Sequence, residues 1–189
     1  MALRQSDTSP PQARRGLNWP NRITLMRIFL VPVLLVFLMS PSGWSPVIAA
    51  TIFLIAAFTD WLDGHLARST NQITRLGQLL DPIADKLLVT AALVLLVGRQ
   101  QVPAWVVVII LCRELAVTGL RAVAADRNVI IAAEAYGKYK MLFLIAGVFL
   151  LILNLPDLYW PGMIALGVGL VLGIVSGVDY LRKYLAQIL

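Results

Sequence analysis

Four aspartates stand in the stretch TDWLDGHLARSTNQITRLGQLLDPIADK, residues 59–86: Asp60, Asp63, Asp81 and Asp85. The first two are three residues apart and the second two four apart, so on helices each pair shares a face. Gly64 and Ala67 extend the first face and Gly77 lies one turn before Asp81, leaving room beside the carboxylates for something bulky. An aspartate facing lipid at mid-helix costs about 2.5–3.5 kcal/mol, so four would cost on the order of 10 kcal/mol unless they converge on partners. Ion pairing with Arg68, Arg75 and Lys86 is the plain alternative, but it gives the small residues no purpose. Four clustered carboxylates suit hard divalent cations, which take oxygen ligands. Two such ions about 3.5–4 Å apart form the usual clamp for phosphoryl displacement. Intramembrane acids also mark ion channels and transporters, so on spacing alone a divalent-cation or proton-coupled transporter stays open.

The elements that must position these residues are membrane helices. Of 189 residues, 59% are hydrophobic and 14% charged, and mean hydropathy is +0.82; a soluble domain is typically about a quarter charged. Six runs approach the ~20 residues of a spanning helix: 23–39, 47–63 continuing past Arg68, 76–97, 103–124, 136–153 and 163–184. PSGWSP (41–46) and NLPDLYWPG (154–162) supply breakers. The expected fold is therefore an all-α integral membrane protein of six transmembrane helices. Residues 1–18 are expected to form a flexible basic segment, and residues 19–189 a single six-helix domain.

With the N-terminus in the cytoplasm, the outer loops are 40–46, 98–103 and 154–162, and of 16 Lys and Arg residues only Arg99 lies in them. This asymmetry follows the positive-inside rule and puts both termini and the aspartates on the cytoplasmic side. The net charge of +6 then reads as topology plus attraction to anionic membrane lipids, not nucleic-acid binding. The lone Cys112 excludes an internal disulfide and a cysteine-based zinc site. Trp19, Trp44, Trp105 and Trp160 lie near span ends and read as an interfacial belt. Gly167, Gly169, Gly173 and Gly177 include small-xxx-small pairs, for a dimer seam or for internal packing.

The pattern Asp60-x2-Asp63-Gly64-x2-Ala67-Arg68-x8-Gly77-x3-Asp81-x3-Asp85 resembles the signature of the CDP-alcohol phosphotransferases at every fixed position. The resemblance implies a six-helix enzyme, usually homodimeric, with two Mg²⁺ or Mn²⁺ ions per active site at the cytoplasmic surface. Such an enzyme displaces CMP from a CDP-linked lipid with a hydroxyl of a second substrate. It makes Asp60, Asp63, Asp81 and Asp85 the metal ligands and Asp85 also the general base. Gly64, Ala67 and Arg68 then line the CDP site, where small side chains admit the nucleotide and a guanidinium can pair with phosphate. Asn21 at the start of the first span could reach the same nucleotide or simply cap its helix.

NWPNRITLMRIFLVPVLL (18–35) and DPIADK (81–86) resemble both the bacterial phosphatidylglycerophosphate synthases and the cardiolipin synthases of this superfamily. RELAVTGLRAVAADRNVIIAAEAYGKYK (113–140) resembles the acceptor region of the former, although Met141-Leu-Phe departs from the threonine and glutamine common there. The implied substrates are CDP-diacylglycerol and sn-glycerol 3-phosphate, with CMP as by-product, in the bacterial cytoplasmic (inner) membrane; a cardiolipin synthase-like acceptor is the alternative. For a glycerol 3-phosphate pocket the candidates are Arg113, Arg121 and Lys138. Arg113 and Arg121 are eight residues apart, about 80° round a helix, and can border one pocket. Lys138 and Lys140 face opposite ways on a helix; Lys138 is favoured as the phosphate ligand.

Overall fold

The computed structural model describes residues 19–40, 42–70, 75–126 and 136–188, with side chains over 26–40, 42–59, 86–124 and 137–187. The N-terminal segment 1–18 lies outside the described residues. Among those described the chain is helical without a strand: α1 Trp19–Met39, α2 Ser45–Thr70, α3 Arg75–Gly98, α4 Ala104–Asp126, α5 Tyr136–Ile152 and α6 Pro156–Ile188.

The connections explain where helices stop. After α3, Gln100 takes a left-handed φ of 58°. Its N–H meets the Val97 carbonyl at 2.9 Å and that of Gln101 meets Leu96 at 3.0 Å, the paired bonds that close a helix through a left-handed residue. Asn154 also ends α5 on a left-handed residue, with φ 54° and a single 3.1 Å bond from its N–H to the Leu151 carbonyl. The Gln101 side-chain amide donates to Asn154 Oδ1, so the two loops hold one another. One boundary differs from expectation: α6 begins at Pro156, not near Met163. Pro156 takes the first helical position, where a missing N–H costs nothing. Pro161 lies little more than a turn on and forgoes only its bond to the Asp157 carbonyl, close to the helix end. The break is thus confined to Leu153–Leu155.

All six helices contribute to one apolar core, including Leu34, Phe53, Leu93, Val107, Val148 and Leu166. α1 packs on α2 and α3, α4 on α3 and α6, and α5 on α2, α3 and α6. A Cβ at Gly162 would meet Leu151, one at Gly147 Leu166, one at Gly169 Leu144, and one at Gly173 Lys140. These pairs step in opposite directions, so α5 and α6 are antiparallel and nearly in backbone contact. Arg113 meets Gly173, Val117 meets Gly177 and Arg121 meets Tyr180. Those pairs step together, so α4 and α6 are parallel. Gly169, Gly173 and Gly177 therefore serve internal packing, whereas Gly167 faces open space.

α6 is the one described helix both long and apolar enough to cross a membrane by length and composition, over Pro156–Gln187. Met26–Met39, Ser45–Thr59 and Lys86–Gly98 are shorter apolar helical runs. Large apolar side chains face outward on every helix: Phe29, Ile55, Val94, Leu115, Leu142 and Ile164 are all more than half exposed. So much outward apolar surface calls for an apolar surrounding or partner.

Candidate active site

The end of α2 and the start of α3 carry the signature. Asp60, Asp63, Gly64, Ala67 and Arg68 lie in the C-terminal part of α2, and Asp81 and Asp85 in the N-terminal part of α3. Uninterrupted helix through both segments puts each aspartate pair on one face. The side chains of these residues, and that of Asn21 at the start of α1, lie outside the described ones.

Lys86 follows Asp85 directly on α3. Its ammonium donates to Thr118 Oγ1 on α4, and the Thr118 hydroxyl donates to the Glu114 carbonyl at 2.7 Å. The helix bearing the second aspartate pair is thereby tied to the helix bearing the predicted acceptor arginines.

On α4 the ties continue to α5 and α6. Arg113 donates through Nε to the Gly173 carbonyl at 2.7 Å, through Nη1 to Glu114 Oε1 at 2.8 Å and through Nη2 to Ser176 Oγ at 2.8 Å. These bonds use three of the five N–H groups of a guanidinium. Lys140 donates to the same Glu114 oxygen. The side chains of Arg113, Glu114 and Lys140 are 13%, 24% and 9% exposed. Two largely buried cations thus share one carboxylate, leaving a local excess of positive charge. Such a cluster is expensive to desolvate, and removing one member costs more than the whole contributes. A void of ≈ 10 Å³ lies among Ile110, Arg113, Glu114, Lys140, Gly173 and Ile174, at the threshold for a single water and too small for a substrate.

Arg121, two turns along α4, lies with its guanidinium carbon 5.5 Å from the Tyr180 ring centroid. Arg121 as a residue is exposed, and the half-buried Tyr180 offers its ring to the guanidinium. Lys138 is exposed and outside the Glu114 cluster; Lys140, two residues on, is the lysine brought to Arg113. The opposite facing of the two lysines holds, but which one turned inward depends on the groove that Gly169 and Gly173 leave on α6. Ser176 and Tyr180 were not singled out from the sequence; the signal was their four-residue spacing beside the Gly169-Gly173-Gly177 row. At the C-terminal end of α6, Lys183 pairs with Asp179 at 2.9 Å.

Topology gathers these groups. The N-terminal part of α3, the C-terminal part of α4 and the C-terminal part of α6 share one end of the bundle, because Lys86 of α3 reaches Thr118 of α4 and α4 and α6 run parallel. The carboxylates and the cations therefore approach the same end.

Comparison with known proteins finds relatives that match most of the chain. A Bacillus subtilis (strain 168) protein named CDP-diacylglycerol–glycerol-3-phosphate 3-phosphatidyltransferase is 43% identical over 182 residues, 88% of this chain and 94% of its own. A protein of the same name from Salmonella choleraesuis (strain SC-B67) is 41% identical over 129 residues, 65% of this chain and 70% of its own. The CDP-alcohol phosphatidyltransferase family model matches residues 17–175, from before α1 into α6. With the aspartate signature on α2 and α3 and a match that spans nearly the whole bundle, the chain belongs to the CDP-alcohol phosphatidyltransferase family.

Proposed function

We propose that this protein transfers the phosphatidyl group of CDP-diacylglycerol to sn-glycerol 3-phosphate, giving phosphatidylglycerophosphate and CMP. The observation that carries the reading is the likeness, across most of the chain, to relatives named for this reaction. The acceptor region supports it, because an anionic acceptor needs cations and Arg113 and Arg121 share one stretch of α4.

The donor set of α2 and α3 suits two Mg²⁺ or Mn²⁺ ions: four carboxylates, hard oxygen donors, on two helical faces at one end of the bundle. Asp60, Asp63, Asp81 and Asp85 would hold them. When bound, the metals supply charge neutralisation at the pyrophosphate. Gly64 and Ala67 would leave space for the cytidine nucleotide, Asn21 would reach it from the start of α1, and Arg68 would pair with a phosphate oxygen. Arg113 and Arg121 bind the acceptor phosphate, and the exposed Lys138 adds attraction for the incoming dianion. Asp85 takes the proton from the acceptor hydroxyl as its oxygen bonds to the lipid-bearing phosphorus. The bond from that phosphorus to the bridging oxygen breaks, and CMP leaves with the oxygen and its electron pair. A placed base contributes about 10²–10⁴-fold to such a step.

In the same reading the protein spans the bacterial cytoplasmic membrane six times with both termini and the active site on the cytoplasmic side. The scarcity of basic residues in the outer loops, Arg99 alone excepted, supports that orientation, as do Trp44, Trp105 and Trp160, all exposed near the opposite end. A single catalytic domain over 19–189 and assembly as a homodimer belong to the reading on the resemblance alone. An acceptor screen with labelled CDP-diacylglycerol and purified protein tests it. Glycerol 3-phosphate should far outperform serine, inositol phosphate and phosphatidylglycerol. Preference for phosphatidylglycerol would replace the reading with cardiolipin synthesis.

A further inference from the structure

We infer that Ser176 and Tyr180 of α6 are positioning residues that hold Arg113 and Arg121 of α4 in place for the acceptor phosphate. The inference rests on the proposed reading of those two arginines as phosphate ligands, and it concerns what aims them.

α4 and α6 run parallel, so Arg113 and Arg121 meet partners in the same order along α6, Arg113 at Gly173 and Ser176 and Arg121 at Tyr180. Arg113 is fixed by three bonds, two of them to α6: Nε to the Gly173 carbonyl at 2.7 Å and Nη2 to Ser176 Oγ at 2.8 Å. Gly177 lies beside this side chain: a Cβ there would stand 3.3 Å from Arg113 Nε and 3.6 Å from its Cγ, a contact that the arginine would have to yield to by a few tenths of an ångström. Arg121 has a different restraint. No hydrogen bond holds it among the described residues; its guanidinium faces the Tyr180 ring at 5.5 Å, and a guanidinium over an aromatic face is held without using its N–H groups.

The chemistry of the two restraints follows from this. An arginine fixed by hydrogen bonds has fewer N–H groups left for a phosphate, whereas one resting on a ring keeps all five. Tyr180 therefore pre-sets Arg121 while leaving its whole hydrogen-bonding edge for ligand. Ser176 sets the direction of Arg113 from the Nη2 side, opposite to the Glu114 contact. Ser176 and Tyr180 are four residues apart on α6 and so present one face to α4.

The test is steady-state kinetics of the full chain in detergent, with separate KM values for glycerol 3-phosphate and CDP-diacylglycerol. Tyr180→Leu should raise KM for glycerol 3-phosphate about two- to fivefold, the ratio corresponding to a cation–π contact at an exposed site. KM for CDP-diacylglycerol should stay as it is. Tyr180→Phe keeps the ring and should restore the acceptor KM. Ser176→Ala should shift the acceptor KM in the same direction. In an Arg121→Ala background, Tyr180→Leu should add nothing further, since its effect acts through the arginine. Equal effects on both substrates, or full additivity with Arg121→Ala, would overturn the inference. A selective rise in acceptor KM in Arg121→Ala with none in Tyr180→Leu would overturn positioning alone. Unchanged acceptor KM in both Arg113→Ala and Arg121→Ala would remove the acceptor reading, and the inference with it. Thermal unfolding of each variant separates a folding failure from a kinetic effect.

Discussion

One added methyl group at Gly147 and the same group at Gly167 should move stability in opposite directions. A Cβ at Gly147 would stand 2.7 Å from the Leu166 nitrogen, 3.0 Å from the Gly162 oxygen and 3.0 Å from Leu166 Cα. All three are backbone atoms, so no side chain can swing aside, and α5 and α6 must part by about 0.7 Å to reach ordinary contact. Overpacking of this kind costs about 1–3 kcal/mol. Alanine gains about 0.8–1.0 kcal/mol over glycine inside a helix, so Gly147→Ala should lose up to about 2 kcal/mol net. A Cβ at Gly167 meets nothing within 4 Å, so Gly167→Ala should keep the propensity gain. The two variants then differ by the overpacking cost, about 1–3 kcal/mol. At about 2–4 °C per kcal/mol for a chain of this length, their Tm values should lie roughly 2–12 °C apart. Thermal unfolding in one detergent, followed by tryptophan fluorescence, measures the difference. Gly147→Ala equal to or more stable than Gly167→Ala would refute the close approach of α5 to α6.

Other expected outcomes follow from the same contacts. Glu114→Gln leaves Arg113 and Lys140 without their shared counter-charge and should cost about 3–5 kcal/mol, read by thermal or denaturant unfolding; wild-type stability would deny the cluster a structural role. Lys138→Met, at an exposed site outside that cluster, should leave stability within about 0.5 kcal/mol, and a large loss would contradict its placement. Chelator treatment should abolish CMP release, with recovery on adding Mg²⁺ or Mn²⁺; full turnover in a metal-free preparation would end the two-metal proposal. Asp85→Asn keeps size and one ligating oxygen, so it should still bind CDP-diacylglycerol with metal while kcat falls at least about a hundredfold. Near-normal kcat in that variant would remove Asp85 as base.

Much of the fold was legible because helices write their faces into spacing. Asp60 with Asp63, and Asp81 with Asp85, can be assigned shared faces from residue numbers alone, and helix runs through both pairs. Prolines were harder to read. NLPDLYWPG looks like one long break, yet a proline is harmless at the first helical position, and α6 begins there. The acceptor lysines show a different limit. Spacing separates Lys138 from Lys140, but only the groove beside Gly169 and Gly173 decides that Lys140 turns inward to Glu114. Ser176 and Tyr180 were hidden for the same reason, since their meaning depends on α4 lying parallel to α6. A single helix cannot encode which neighbour it will meet or in what register.

The most direct measurement of the central claim is CMP release by detergent-solubilised protein, counted against glycerol 3-phosphate consumed. No sealed compartment or gradient is present in such a preparation, so transport cannot contribute. With CDP-diacylglycerol and Mg²⁺ supplied, one CMP should appear for each glycerol 3-phosphate converted to phosphatidylglycerophosphate, and none should appear when the acceptor is omitted. CMP release indifferent to glycerol 3-phosphate, or no release under any acceptor, would contradict phosphatidyl transfer to this substrate.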